Sequence, residues 1–138
     1  MRMLAIDPGD QLLGLALSDE TGVIARPLTT LAHESRAKDA ERLVALAVEH
    51  QAEMILVGLA LDSSGHVGPQ ARKAERLVEA IRSLTALPVV THDESFTSAS
   101  AQDALLAAGK KRRARREQIH AVAAAALLQS YLDAHPRE

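Results

Sequence analysis

Four residues spread along the chain have side chains suited to holding a divalent cation: Asp7, Glu94, Glu117 and His120. Asp7 ends an apolar run, Met3–Leu4–Ala5–Ile6, and is followed by the turn residues Pro8–Gly9–Asp10. A second apolar run, Leu12 to Leu17, then stops on Ser18–Asp19. This pattern predicts a β-hairpin whose first strand delivers a carboxylate to the lip of a sheet. An ionised carboxylate left unpaired in a core is expensive. Further acids gathering around Asp7 would make a divalent-cation site. Glu94 ends another predicted strand, and at the carboxyl ends of parallel strands it would share a crevice with Asp7. Glu117 precedes His120 by three residues, so the two lie on one helical face and could close a cage begun by Asp7 and Glu94. Plainer readings stay open: Asp93–Glu94 as a solvated turn, and His120 as a hydrogen-bonded histidine packed in an apolar helix.

The elements that must position these groups follow from periodicity and punctuation. Val23 to Leu31 predicts a third strand, placed at a sheet edge by Pro27. Ser35 can cap a helix running to about Gln51, with Ala40, Leu43, Val44 and Ala47 on one face. Met54–Ile55–Leu56–Val57, ended by Gly58, reads as a strand buried on both faces. The loop Leu61 to Gly68 is a polar crossover, and it lacks the spacing and the lysine of a nucleotide P-loop. A second helix is predicted from Pro69 to Leu84, and a fifth strand over Pro88–Val89–Val90–Thr91, ending on His92–Asp93–Glu94. Thr97 or Ser98 can cap a helix through Ala108, stopped by Gly109. Glu117 to Ala134 predicts a last helix, apolar around much of its circumference and so largely buried or shared with a partner. With no internal repeat, residues 1–138 are expected to form one α/β domain, its mixed sheet antiparallel on one side and parallel on the other.

Composition narrows the class of partner. The chain has 138 residues, 47% of them hydrophobic and 25% charged, which is globular rather than disordered. It has no cysteine, which excludes disulfides and thiolate metal sites and fits a reducing, cytoplasmic setting. There is no secretory signal and no apolar run of membrane-spanning length, so no membrane association is expected. The net charge of −2 hides a segregation, since six of the 16 cations are Lys110, Lys111, Arg112, Arg113, Arg115 and Arg116. That segment is either a solvated linker or a contact for a polyanion. With one Tyr and one Phe, the chain offers no row of stacking platforms, so nucleic-acid contact would rest on phosphate and shape.

One family unites these features. Ile6–Asp7–Pro8–Gly9 through Gly14, then Ala16–Leu17–Ser18–Asp19, resembles the opening of the YqgF/RuvX family of Holliday junction resolvase-like nucleases. Ala25–Arg26–Pro27–Leu28–Thr29–Thr30, Val57–Gly58–Leu59, Asp93–Glu94 and Ala123–Ala124 to Tyr131–Leu132 follow in the family's order. The resemblance implies an RNase H-like fold, with five strands in the order 3-2-1-4-5, the second antiparallel, flanked by helices. It also implies a two-metal nuclease acting on Holliday junction-like DNA or ribosomal RNA precursor, with Asp7, Glu94 and a residue of the last helix as ligands. Four departures mark this chain: His120 stands where the family usually has Asp, and Asp10–Gln11–Leu12 where hydroxyl and basic residues are common. Ser95 and Ala60 replace the family's Arg and Pro. An imidazole ligand favours Mn²⁺ over Mg²⁺, which prefers hard oxygens. A resolvase cuts two symmetric strands and so calls for a homodimer. The rival readings are a nucleic-acid-binding module without cleavage, and a sugar-kinase relative, which would need a second such domain.

Overall fold

A computed structural model describes residues 1–61, 64–93 and 112–136, the side chains of 112–117 excepted. Its elements are β1 (Met3–Asp7), β2 (Leu12–Ser18), β3 (Ala25–Ala32), α1 (Arg36–Glu49), β4 (Met54–Leu59), α2 (Pro69–Arg82), β5 (Val89–Asp93) and α3 (Arg112–Ala134). The sheet has the expected order, β3-β2-β1-β4-β5, with β2 antiparallel to its neighbours and β1, β4 and β5 parallel.

β1 is central and buried over all five residues, and its alternation builds two cores. Leu4 and Ile6 face the layer under α1 and α2, with Leu43, Ile55, Val57, Leu77 and Ile81. Met3 and Ala5 face the layer under α3, with Ala16, Leu56, Ala124, Leu127 and Leu128. Alternation of side chains along a strand therefore aims Asp7 at α3. β3 is the exposed edge, where Pro27 is tolerated beside a register shift at Leu15/Ala16. Asp19 closes the connection to β3. Its carboxyl is held well below the usual carboxylate range by the Thr21 hydroxyl first, then by the N–H groups of Ile24 (3.0 Å) and Val23 (2.9 Å).

Ser35 caps α1 as expected, its hydroxyl accepting from the Lys38 N–H at 3.1 Å. The last helix departs from expectation. It begins at Arg112 rather than Glu117, so Arg112 to Arg116 are helical and not a linker. α3 lies across β1, β2 and β3. Gln129 ties it down, its side-chain oxygen accepting from the Ala25 N–H (3.0 Å) while its amide donates to the Val23 carbonyl (2.9 Å). At the other edge Ser130 meets His92 of β5 at 3.2 Å. The helix predicted from Thr97 or Ser98 to Ala108 lies outside the described residues. Among the described residues, no helix is long and apolar enough to cross a membrane.

Candidate active site

Asp7 and His120 meet because two glycines allow it. Asp7 is the last residue of β1, and its Cα partner on β2 is Gly14. A Cβ built on Gly14 would lie 1.9 Å from the His120 carbonyl oxygen and 2.9 Å from the Ala121 nitrogen. The backbone of α3 thus rests directly on β2 where only glycine leaves room. Gly9, in the turn, has a similar restriction: its Cβ would sit 2.3 Å from the Leu12 carbonyl oxygen and 3.4 Å from His120 Cε1. The result places His120 Nδ1 3.9 Å from Asp7 Oδ2. Asp7 is 6% exposed, and His120 is its one ionic neighbour among the described residues.

This pair fits a metal. A carboxylate oxygen and an imidazole nitrogen are donors a divalent cation accepts; with bonds of about 2.1 Å, adjacent octahedral ligands stand about 3.0 Å apart, so the 3.9 Å pair would close by about 0.9 Å to share one ion. Among the described residues no third His, Cys, Asp or Glu joins them. Of the other candidates, Glu94, Lys110 and Lys111 lie outside the described residues. Glu117, Arg112, Arg113, Arg115 and Arg116 are placed on α3 by backbone, and their side chains lie outside the description. β5 is described as far as Asp93, which pairs with Leu59 just as Val57 pairs with Ile6. The carboxyl ends of β1, β4 and β5 therefore lie side by side.

Above those strand ends opens a cleft of about 470 Å³. Asp7, Asp10, Gly58 and His120 contribute to one part of its lining; His33 comes from the connection before α1, Arg36 and Asp39 from the first turn of α1, and Gln70, Lys73 and Arg76 from α2. Lys73 reaches back to Asp10 at 3.3 Å. Asp39 is 2% exposed yet fully engaged. It accepts from the Glu34 N–H (3.1 Å) and from Arg42 (2.8 Å), and its other oxygen takes the His33 Nδ1. Burial pushes its carboxyl upward, but the Glu34 N–H, His33 and Arg42 together outweigh burial and hold it below its ordinary value. None of these α1 and α2 groups stood out in the sequence. The available signal was Asp39 itself, an acid in the same helical row as the buried Leu43 and Ala47.

The central acid-bearing strand, the mixed sheet and the closing helix give the chain the RNase H-like fold. A T. thermophilus RuvC in complex with a Holliday junction substrate superposes with a TM-score of 0.61 at 17% identity, covering 99% of this chain and 96% of that one. Fowlpox virus resolvase, in complex with Holliday junction DNA, superposes at 0.63 with 10% identity, covering 99% and 100%. At such identities the likeness is one of fold.

Sequence narrows the class to a family. The RuvX profile, described as Holliday junction resolvase, matches residues 1–134, and the chain belongs to that family. Two relatives carry the name "Putative pre-16S rRNA nuclease". That of Thermoanaerobacter pseudethanolicus is 39% identical over 134 residues, 96% of each chain. That of Geobacillus kaustophilus is 40% identical over 135 residues, 96% of this chain and 98% of its own.

Proposed function

We propose that the chain is a metal-dependent nuclease hydrolysing phosphodiester bonds in structured nucleic acid, Holliday junction-like DNA or ribosomal RNA precursor. One observation carries the reading: a buried carboxylate, Asp7, sits 3.9 Å from an imidazole at the mouth of a cleft on the carboxyl edge of the sheet. Family membership and the names of its relatives support the same chemistry. Asp7, Glu94 and His120 are the proposed ligands, Glu117 assists, and Mn²⁺ or Mg²⁺ is the cation, with Mn²⁺ favoured.

Two bound cations would supply an activated hydroxide and stabilise the leaving oxygen. The protein's part is positional. β1, held by hydrogen-bonded strands on both sides, fixes Asp7 where it can give an anionic oxygen without moving. The His120 Nδ1 faces Asp7, so for it to be a ligand the ring must be neutral with its proton on Nε2. Lys110, Lys111, Arg112, Arg113, Arg115 and Arg116 would neutralise phosphates beyond the cleft. Two copies acting as a homodimer would cut symmetric strands of a junction. The absence of cysteine fits a cytoplasmic setting.

The test is cleavage of a four-way junction and of a precursor-RNA substrate in Mn²⁺, Mg²⁺ and chelator, with wild type, Asp7→Asn and Glu94→Gln. Cleavage in metal that either substitution abolishes supports the reading. Undiminished cleavage by Asp7→Asn overturns it. Tight binding by a wild type that never cleaves would replace it with the binding-module reading.

A further inference from the structure

The cleft's α1–α2 side has a charge pattern that the proposed chemistry at Asp7 does not use. Lys73 is paired with Asp10, and buried Asp39 is paired with Arg42 and His33. Arg36 and Arg76, both exposed and both lining the cleft, have no ion pair among the described residues. Two unneutralised guanidinium groups therefore face the same space as Asp7 and His120. Guanidinium is the side chain best matched to a phosphate, because its planar fork donates two parallel hydrogen bonds.

His33 adds a second, independent feature. Its Nδ1 meets the carboxylate of Asp39, which can only accept, so the ring proton is held on Nδ1. That contact fixes both ring orientation and tautomer, as carboxylates do for working imidazoles elsewhere. The ring is 42% exposed, whereas its carboxylate partner is 3% exposed. A buried acid thus orients an imidazole at the wall of the cleft, leaving Nε2 as the nitrogen able to contact a ligand. The N-termini of α1 and α2 open at the same end of the sheet, since β3 and β4 both run toward it. Their positive dipole ends add to a field favouring an anion.

We propose that the α1–α2 wall of the cleft seats a backbone phosphate of the bound nucleic-acid strand, contacted by Arg36, Arg76 and the Asp39-oriented His33. The proposal rests on the nuclease reading for its ligand and assigns that ligand a second point of attachment. A strand anchored here would be held against the Asp7 side from across the cleft. The paired Lys73 serves as a spacer that keeps Asp10 from repelling it.

The test is binding of a fluorescein-labelled four-way DNA junction and a single-stranded RNA to the full chain in chelator, read by anisotropy across a salt series. Arg36→Ala/Arg76→Ala is expected to raise Kd roughly tenfold at 0.1 M salt and to flatten the log–log salt slope by about 0.9 on the junction and about 0.7 on the single-stranded RNA, the loss of one phosphate contact. Arg36→Lys/Arg76→Lys should keep most of the slope, since charge remains. His33→Ala should weaken binding, and His33→Gln, which retains a polar donor, should recover part of the loss. Wild-type affinity and slope in both Arg36→Ala/Arg76→Ala and His33→Ala would overturn the proposal, and melting temperatures will show that each variant is folded. Undiminished cleavage by Asp7→Asn would instead defeat the nuclease reading while leaving this binding measurement intact.

Discussion

At the scale of single residues, His120 and Asp39 illustrate opposite uses of charge. His120 brings a neutral nitrogen where an acid would bring a negative oxygen, so the proposed cage is one charge poorer and softer. His120→Asp is expected to strengthen cleavage in Mg²⁺ and narrow its gap to Mn²⁺, measured as initial rates in each metal. If His120→Ala cleaves like wild type in both metals, His120 is a packing residue and the third ligand lies elsewhere. Asp39 is a buried anion whose folded pKa lies below its ordinary value of 3.8. A depressed carboxylate stabilises the fold above its unfolded pKa, and that stability is lost as pH falls through the lower, folded value. Asp39→Asn should therefore destabilise the protein by about 1–3 kcal/mol near neutral pH, because the amide leaves Arg42 or His33 without its acceptor. The variant should also show a shallower loss of stability than wild type as pH falls through and below 3.8, read from urea midpoints. An acid limb as steep as wild type would show that other carboxylates carry it.

At the scale of elements, the site depends on how closely α3 can approach β2. Gly14 permits that approach, and its neighbours there are the carbonyl of His120 and the nitrogen of Ala121, backbone atoms that cannot rotate away. Gly14→Ala must push the helix off the sheet, at a cost of about 1–3 kcal/mol for overpacking. Cleavage should fall further than stability, because displacing His120 separates it from Asp7. Gly68→Ala is the control: its Cβ would meet nothing within 4 Å. Melting temperatures and cleavage rates of the two variants make the comparison, and equal behaviour would mean that α3 does not need its present seat.

At the scale of the molecule, one sheet separates two hydrophobic layers and brings the proposed site residues to the carboxyl end of its central strand. The layer under α3 positions His120, and Leu127 and Leu128, fully buried, anchor it. The layer under α1 and α2 positions the cationic wall. Phosphate contact is thus proposed at two places, the wall and the basic start of α3. If the two act independently, their contributions to the salt slope should add. Replacing Arg112, Arg113, Arg115 and Arg116 by Ala should flatten the slope by up to about 3.6 at 0.9 per contact, over and above the effect of the wall variant. No change would return that segment to a solvated helix start.

The sequence by itself determined the strand order, the hairpin that carries Asp7, the Ser35 cap and the family, because these follow from local periodicity, turn chemistry and ordered motifs. The three-strand start followed by helix–strand units leaves few unknotted, right-handed topologies to choose among. The same local rules placed the last helix's start too late, since a run of cations reads as linker until arginine's good helix propensity is credited. Only the tertiary structure decided that Gly14 would seat the backbone of His120, because close approach of two backbones leaves no periodic trace. It alone decided, too, that Arg36 and Arg76 would face Asp7's cleft, since their neighbours are made by the sheet rather than by the chain. Both helices begin at the end of the sheet where β1 ends, because β3, through two antiparallel pairings, and β4, through one parallel pairing, both run in the direction of β1.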